Sequence, residues 1–151
     1  MFQPPVRSYR KDRKRRKFGT FKSGVTQASI VYGVFAIQAM EPGACTARQI
    51  EAARRVIMRE VKRRCRLWIR IFPDKPISKK PLEVRQGKGK GSVEHYVAVI
   101  RTGAILFEIP EIEEEIAYHA LRQACYKLPF RCRLLRKGSV HKKFVLEEAA
   151  G

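Results

Sequence analysis

Acidic residues are scarce in this sequence, with 14 Asp and Glu against 33 Lys and Arg and a formal net charge of +19. A folded chain with this charge repels itself, so we expect a polyanionic partner that neutralises it. The candidates are nucleic acid, an anionic membrane and acidic proteins. Hydrophobic residues make up 44% of the 151 residues, which is enough for one packed core and argues against wholesale disorder.

Long apolar runs are also missing. No stretch reaches the about 18 consecutive apolar residues that a membrane-spanning helix needs. The basic residues near the N-terminus are not followed by an apolar segment, so no secretory signal is expected. The Arg-rich run from Arg7 to Lys17 also lacks the regular apolar spacing of an amphipathic transit helix. The sequence therefore predicts no membrane partner.

The motifs of common enzymes are absent as well. The phosphate-binding pattern G-x-x-x-x-G-K-[ST] fails because Gly91 follows Lys90. The dinucleotide pattern G-x-G-x-x-G fails because Ser92 stands at its last position. Neither G-x-S-x-G nor H-E-x-x-H occurs. We therefore expect no catalytic residues, no cofactor and no enzymatic activity.

Cysteines are few and never form a C-x-x-C pair. They lie at positions 45, 65, 125 and 132, and reduced, buried thiols are expected because nothing indicates secretion. A zinc site can be drawn from His119, Cys125, Cys132 and His141, but this spacing matches no common zinc module. We therefore expect no metal site.

What the sequence has in excess is positive charge, first of all near the N-terminus. Residues 1–24 form a basic extension in which Asp12 is the only acid, and such a block should order on a counter-charged surface. Interleaved aromatic residues can stack on bases, although a solvated flexible arm is the alternative. We assign RNA binding to the cations of this extension: Arg7, Arg10, Lys11, Arg13, Lys14, Arg15, Arg16 and Lys17.

Thr46 opens the clearest helix. Thr46 and Gln49 fit the T-x-x-Q capping box, in which each side chain satisfies a free backbone N–H of the first turn. Four apolar residues recur at helical spacing and are expected in the core: Ile50, Ala53, Ile57 and Val61.

The remaining surface of this helix is strongly basic. Only Glu51 and Glu60 offset it, so internal pairing cannot neutralise the surface and phosphate contact is favoured over a solvated charged face. The cations assigned to RNA binding here are Arg48, Arg54, Arg55, Arg59, Lys62 and Arg63.

The other predicted elements are strands and a second helix, and all of them lie in a single domain over residues 25–136. Strands are expected over 29–40, 66–72, 93–101, 104–109 and 130–135, and Thr102-Gly103 is expected to be the turn of a hairpin between the third and the fourth. Pro110 and the acids after it open the second helix, whose predicted apolar stripe is Ile112, Ile116, Ala120 and Ala124. Residues 137–151 form a C-terminal tail.

The strand over 66–72 has two different faces. Leu67, Ile69 and Ile71 alternate with Trp68 and Arg70. The second pair either lines an RNA contact or, in the case of Trp68, packs under the second helix.

Residues 74–92 are expected to form a long loop without secondary structure, because the prolines in this stretch exclude a helix. The glycines near its end let the backbone approach a phosphate closely, while the lysines supply charge. The candidate binding residues of this loop are Lys79, Lys80, Arg85, Gly87, Lys88, Gly89, Lys90 and Gly91.

Five strings then occur in the order seen in one known family: TARQIEAARR at 46–55, LWIRIFPDKP at 67–76, KPLEVRQGKGKG at 80–91, ILFE at 105–108 and KLP at 127–129. They resemble the bacterial and organellar large-subunit ribosomal proteins of the L-sixteen type. The resemblance covers most of the chain, roughly from Gln3 to Leu135. It implies an α+β fold in which two helices pack on one antiparallel sheet.

The resemblance implies a function beyond what the residues alone predict. It implies binding to large-subunit rRNA beside the aminoacyl-tRNA site, with the loop from Arg85 to Gly91 directed toward that tRNA. The expected partners are therefore rRNA, aminoacyl-site tRNA and neighbouring ribosomal proteins, and no homo-oligomer is expected. The protein would support the peptidyl transferase centre, which is RNA, without performing catalysis.

The resemblance also suggests a location, and alternatives to the function remain open. The string ISKKPLEVRQGKGKG looks closest to alphaproteobacterial members, so a mitochondrial ribosome is expected, with the bacterial cytoplasm or a plastid as alternatives. A stand-alone RNA chaperone or binding module is the alternative function. An RNA-modifying enzyme is a third, for which the chain offers no candidate pocket.

Overall fold

The computed structural model describes residues 4–5, 9–13 and 29–138. In chain order the elements of this part are β1 (Phe35–Ala39), β2 (Gly43–Thr46), α1 (Ala47–Glu60), β3 (Trp68–Ile69), β4 (Lys75–Lys79), β5 (Ser92–Ile100), β6 (Ile105–Ile109), α2 (Glu114–Cys125) and β7 (Cys132–Arg136). The predicted α+β class is confirmed. Neither α1 nor α2 is long and apolar enough to cross a membrane.

The strands form two sheets where the sequence predicted one. The first has four strands in the order β3-β6-β1-β7, and the second has three in the order β2-β5-β4. Every pairing among the described residues is antiparallel. The second sheet includes β2, a strand that the sequence analysis did not predict. Its four residues lie between Pro42 and helix α1 and include the helix cap Thr46, a pattern that is not typical of a strand.

The predicted hairpin between residues 93–101 and 104–109 is wrong. β5 pairs with β2 and β4, whereas β6 pairs with β1 and β3. The turn itself exists, because the Ala104 N–H donates to the Arg101 carbonyl at 3.1 Å. However, the Gly103 N–H donates to Ala39 at 2.8 Å, and Ala39 donates back to Ala104 at 2.9 Å. These bonds to the end of β1 direct the chain into the other sheet.

The predicted loop is shorter than expected, since β4 occupies Lys75–Lys79. Pro76 lies opposite Tyr96 of β5 and is buried, in an edge strand where a missing N–H is tolerated. The stretch without regular structure therefore runs over residues 80–91, and we call it the Gly/Lys loop.

Helix α1 follows the prediction closely. Thr46 and Gln49 form the capping box, with the Gln49 N–H donating to the Thr46 hydroxyl and the Thr46 N–H donating to the Gln49 side chain at 2.9 Å. The four predicted core residues are all buried: Ile50, Ala53, Ile57 and Val61. Burying a side chain such as Ile57 contributes about 1.5–3 kcal/mol of folding free energy.

Helix α2 begins later than predicted, at Glu114, and its buried face is rotated. Ala120 and Ala124 are buried as expected, but Ile116 is 40% exposed, so its assignment to the core is wrong. Ile112 packs against the core before the helix starts. The buried residues of the helix are Ala117, Ala120, Leu121, Ala124 and Cys125.

Candidate nucleic-acid interface

The Gly/Lys loop projects from the second sheet with residues 81–90 all exposed. The Lys80 ammonium donates to the Gly87 carbonyl and closes the loop on itself. Gly87, Lys88 and Gly89 adopt φ angles of 100°, 47° and 88°, in the left-handed region that L-residues avoid. An added Cβ at either glycine would meet nothing within 4 Å, so glycine is needed there for backbone conformation and not for space.

Gly91 has a different role at the base of the loop. A Cβ at this position would lie 2.6 Å from the carbonyl carbon of Lys79, the last residue of β4. Only glycine permits so close an approach of the two backbones, and this approach fixes where the loop leaves the sheet.

The loop also contacts the N-terminal extension. The Lys11 ammonium donates to the Lys90 carbonyl at 2.9 Å, and the Lys90 ammonium donates to the Asp12 carbonyl. Arg10 and Arg13, on either side, are exposed. The two regions that the sequence analysis assigned separately therefore form one basic surface, over residues 9–13 and 80–91. The other assigned cations of the extension lie outside the described residues: Arg7, Lys14, Arg15, Arg16 and Lys17.

Charge on the loop surface is offset only in part. Lys79, at the end of β4, lies 3.6 Å from Glu94. Arg85 and Lys88 are exposed and form no ion pair within the described part of the chain. This surface can therefore bind a polyanion without first breaking strong internal pairs.

The basic face of α1 is more internally paired than the sequence predicted. Arg54 donates to Glu51 through two nitrogens at 2.8 and 2.7 Å, and Arg55 donates to it at 3.0 Å. The hydrogen bond from Arg54 is the main cause that lowers the pKa of Glu51 to about 2. Glu60 lies 3.6 Å from Arg59 and 3.4 Å from His119.

Among the residues that the structure describes, the cations at the two ends of α1 have no carboxylate partner. Arg48 is exposed in the first turn. Lys62 and Arg63 follow the last turn with φ angles of 52° and 58°, and the Arg63 N–H donates to the Met58 carbonyl at 3.0 Å. Helices usually end this way with glycine, and each L-residue here costs roughly 1–2 kcal/mol. The backbone thus holds two exposed basic side chains at the end of the helix.

Glu108 is a feature that the sequence analysis missed. This carboxylate is fully buried and accepts hydrogen bonds from the Arg70 guanidinium and from the backbone N–H groups of Tyr32 at 2.7 Å and Gly33 at 2.9 Å. Burial raises its pKa, but these hydrogen bonds outweigh burial, and the pKa is lowered overall. The signal for it was a lone acid in the otherwise apolar strand β6, ILFEI.

Around Glu108 four planar side chains form a row that we call the aromatic–arginine ladder: Arg66, Trp68, Tyr32 and Arg70. The Arg66 guanidinium lies 5.7 Å from the centre of the Trp68 ring. Trp68 stacks on Tyr32 with 6.2 Å between ring centres, and Arg70 lies 5.4 Å from the Tyr32 ring. The alternative in which Trp68 packs under the second helix is wrong, since Trp68 lies opposite Glu108 in the register, on the sheet face away from Phe35 and α2.

The cysteines carry no evident chemistry. Cys45, Cys125 and Cys132 are buried, Cys65 is half-buried, and all four are free thiols. Burial raises the pKa of Cys45 to about 12, which keeps this thiol protonated and unreactive. Within residues 4–5, 9–13 and 29–138, no group of three or more His, Cys, Asp or Glu side chains is placed to hold a metal ion. His141, part of the zinc set considered above, lies outside this range.

These observations define a small basic α+β protein whose cations gather on an exposed loop, an extension and one helix. The model of the family described as ribosomal protein L16p/L10e matches residues 4–135. The chain therefore belongs to this family of ribosomal proteins, as the resemblance implied.

Similar proteins support the same assignment over nearly their whole length. A protein of Methylibium petroleiphilum named large ribosomal subunit protein uL16 is 52% identical over 137 residues, which cover 91% of this chain and 97% of that protein. Proteins with the same name from Albidiferax ferrireducens and Coxiella burnetii are 53% and 50% identical. They cover 87% and 91% of this chain and 93% and 98% of their own lengths.

Proposed function

We propose that this chain is a structural protein of the large ribosomal subunit, which binds large-subunit rRNA and helps to position aminoacyl-site tRNA. Membership in the L16p/L10e family over residues 4–135, with relatives named as large-subunit proteins, carries the ribosomal role. The net charge of +19 supplies the physical reason, because rRNA is the polyanion available in that particle.

In the proposal, one surface of the protein binds rRNA and another faces tRNA. The exposed cations at the ends of α1, together with the N-terminal extension, bind rRNA phosphates. Arginine suits this contact because its planar group can grip a phosphate through two hydrogen bonds. The Gly/Lys loop faces tRNA, since its glycines permit close backbone approach and Lys80, Arg85, Lys88 and Lys90 place charge near the tRNA backbone.

The protein would act without catalysing a reaction itself. The family is one of structural ribosomal proteins, in line with the expectation that the chain is not an enzyme. In the proposal it holds rRNA and tRNA in a geometry that the RNA catalyst uses, and its further partners are neighbouring ribosomal proteins.

The cellular location is proposed from the relatives. These come from bacteria, which favours a bacterial cytoplasmic ribosome over the mitochondrial one expected from the loop string. The mitochondrial and plastid assignments stay predictions, since the identity to bacterial proteins is compatible with each.

Binding to purified large-subunit rRNA at modest ionic strength tests the RNA-binding part of the proposal. We expect tight binding that weakens steeply with salt as counterions are released. A monomeric, folded chain with no affinity for this RNA would overturn the proposal. A stand-alone RNA chaperone is the second candidate, which would bind many RNAs with similar affinity and would not remain with the subunit.

A further inference from the structure

The aromatic–arginine ladder is the part of the surface that phosphate binding leaves unexplained. Tyr32 is 59% exposed, Trp68 is partly exposed, and Arg66 is exposed. If Trp68 and Tyr32 served only to pack β3 against residues 31–33, their rings would be buried. Here the rings and guanidinium planes form a continuous row open to solvent.

The two ends of the ladder differ in how firmly they are held. Arg70 is anchored by the buried Glu108, which also binds the backbone of Tyr32 and Gly33. Arg66 forms no ion pair among the described residues and contacts only the face of Trp68 in the ladder. An exposed cation–π contact of this kind is weaker than the stacking of a nucleobase on an aromatic ring.

We propose that the ladder is a binding site for an unpaired RNA base, which stacks on Trp68 in place of the Arg66 guanidinium. Arg66 then swings to the phosphate of the same nucleotide. This inference rests on the proposed function and deepens it. It assigns a base-stacking contact to a protein that is otherwise proposed to bind phosphates.

The chemistry of the row favours a nucleotide over an apolar or acidic protein segment. An apolar segment would leave the two guanidinium groups without partners, and an acidic segment has no flat surface to cover the Trp68 ring. A nucleotide offers both a planar π-face and an adjacent negative charge. Glu108 does not repel that charge from the surface, because it is fully buried beneath Arg70 and the amides of residues 31–33.

The chain provides its own reporter for this site, since Trp68 is its only tryptophan. The full-length protein is titrated with single-stranded oligoadenylate, with inorganic polyphosphate and with polyglutamate, while Trp68 fluorescence is recorded. We expect oligoadenylate to quench the fluorescence in a saturable way. Polyphosphate supplies charge without bases and should bind without quenching, and polyglutamate should not quench either.

The outcomes separate this inference from the proposed function. Salt-dependent binding of oligoadenylate with unchanged Trp68 fluorescence overturns the base-stacking site and leaves the RNA-binding proposal intact. If polyglutamate quenches Trp68 fluorescence as strongly as oligoadenylate does, the proposed base-stacking site is wrong. If no RNA binds at all, both proposals fall.

A pair of matched variants tests the stacking directly. Trp68→Phe keeps an aromatic face, whereas Trp68→Leu keeps bulk without one. With a labelled oligoadenylate, we expect Trp68→Phe to bind within about twofold of the original chain, and Trp68→Leu to bind about fivefold to a hundredfold more weakly. Equal affinity of the two variants overturns the inference. Thermal unfolding of both variants checks that the fold is retained.

Discussion

Arg70 and Glu108 form an ion pair whose two members have unequal exposure, since the carboxylate is fully buried while the Arg70 side chain is 28% exposed. Glu108 lies on the central strand β6, and Arg70 directly follows the edge strand β3. Because Glu108 also accepts from the backbone of Tyr32 and Gly33, it ties the segment before β1 to the sheet. A single buried acid thus positions the ladder residues Tyr32 and Arg70.

Replacing this acid should therefore destabilise the fold. We expect Glu108→Gln to lower the free energy of unfolding by about 2–3 kcal/mol, because charge-assisted hydrogen bonds are lost while Arg70 can turn to solvent. The control is Glu94→Gln, which removes an exposed acid 3.6 Å from Lys79 and should cost less than about 1 kcal/mol. Urea unfolding measures both, and equal losses would contradict the role given to Glu108.

The same pair predicts how stability depends on pH. The pKa of Glu108 is lowered in the folded state, since its hydrogen bonds outweigh its burial. Its stabilisation is therefore complete above the unfolded pKa of a glutamate, about 4.3, and is lost as the pH falls through the lower folded pKa. We expect the difference in free energy of unfolding between the original chain and Glu108→Gln to shrink as the pH falls below about 4.3. Urea unfolding at several pH values would contradict this if the difference stayed constant.

The ends of α1 should contribute more to RNA binding than its middle. Affinity for RNA falls as salt rises, and replacing Arg48, Lys62 and Arg63 with Gln should make this dependence shallower. The magnitude of the slope of log affinity against log salt concentration should fall by about 2–3, because about one counterion is released for each phosphate contact. Arg54, Arg55 and Arg59 are the matched control. Glu51 already pairs with the first two and Glu60 with the third, so their replacement should change the slope less. If the two sets have equal effects, internal pairing does not select the binding residues.

The Gly/Lys loop should affect tRNA more than subunit association. Replacing Arg85, Lys88 and Lys90 together with Gln should slow tRNA accommodation in a reconstituted translation assay, while the variant still joins large subunits. Replacing Arg122, Lys127 and Lys137 with Gln removes the same charge outside the loop and serves as the control. Normal accommodation by the loop variant would contradict the tRNA-facing role.

Local sequence patterns correctly predicted the features that depend on residues close together in the chain. The capping box of Thr46 and Gln49 and the buried stripe of α1 follow directly from spacing of three and four residues, and both are confirmed. The α+β class was implied by the family resemblance, and the number and type of the predicted elements agree with it. Ile116 was misassigned because residues spaced by four drift about 40° around a helix at each step. Ile116 therefore lies beyond the edge of the face on which Ala120 and Ala124 are buried.

What the sequence did not predict depends on residues far apart along the chain. The expected hairpin was wrong because two hydrogen bonds direct β6 to β1, one from the Gly103 N–H to the Ala39 carbonyl and one from the Ala39 N–H to the Ala104 carbonyl, and no local signal indicates them. Glu108 contacts residues that lie more than 70 positions earlier, so the ladder could not be assembled from neighbouring strings. The contact between Lys11 and Lys90 is of the same kind.

Sedimentation of cell extracts through a sucrose gradient tests the central claim most directly. If cationic side chains hold this protein on large-subunit rRNA as an integral component, it should sediment with large subunits at the modest ionic strength at which it binds rRNA. Its recovery only in the free fractions at the top of the gradient would contradict the account.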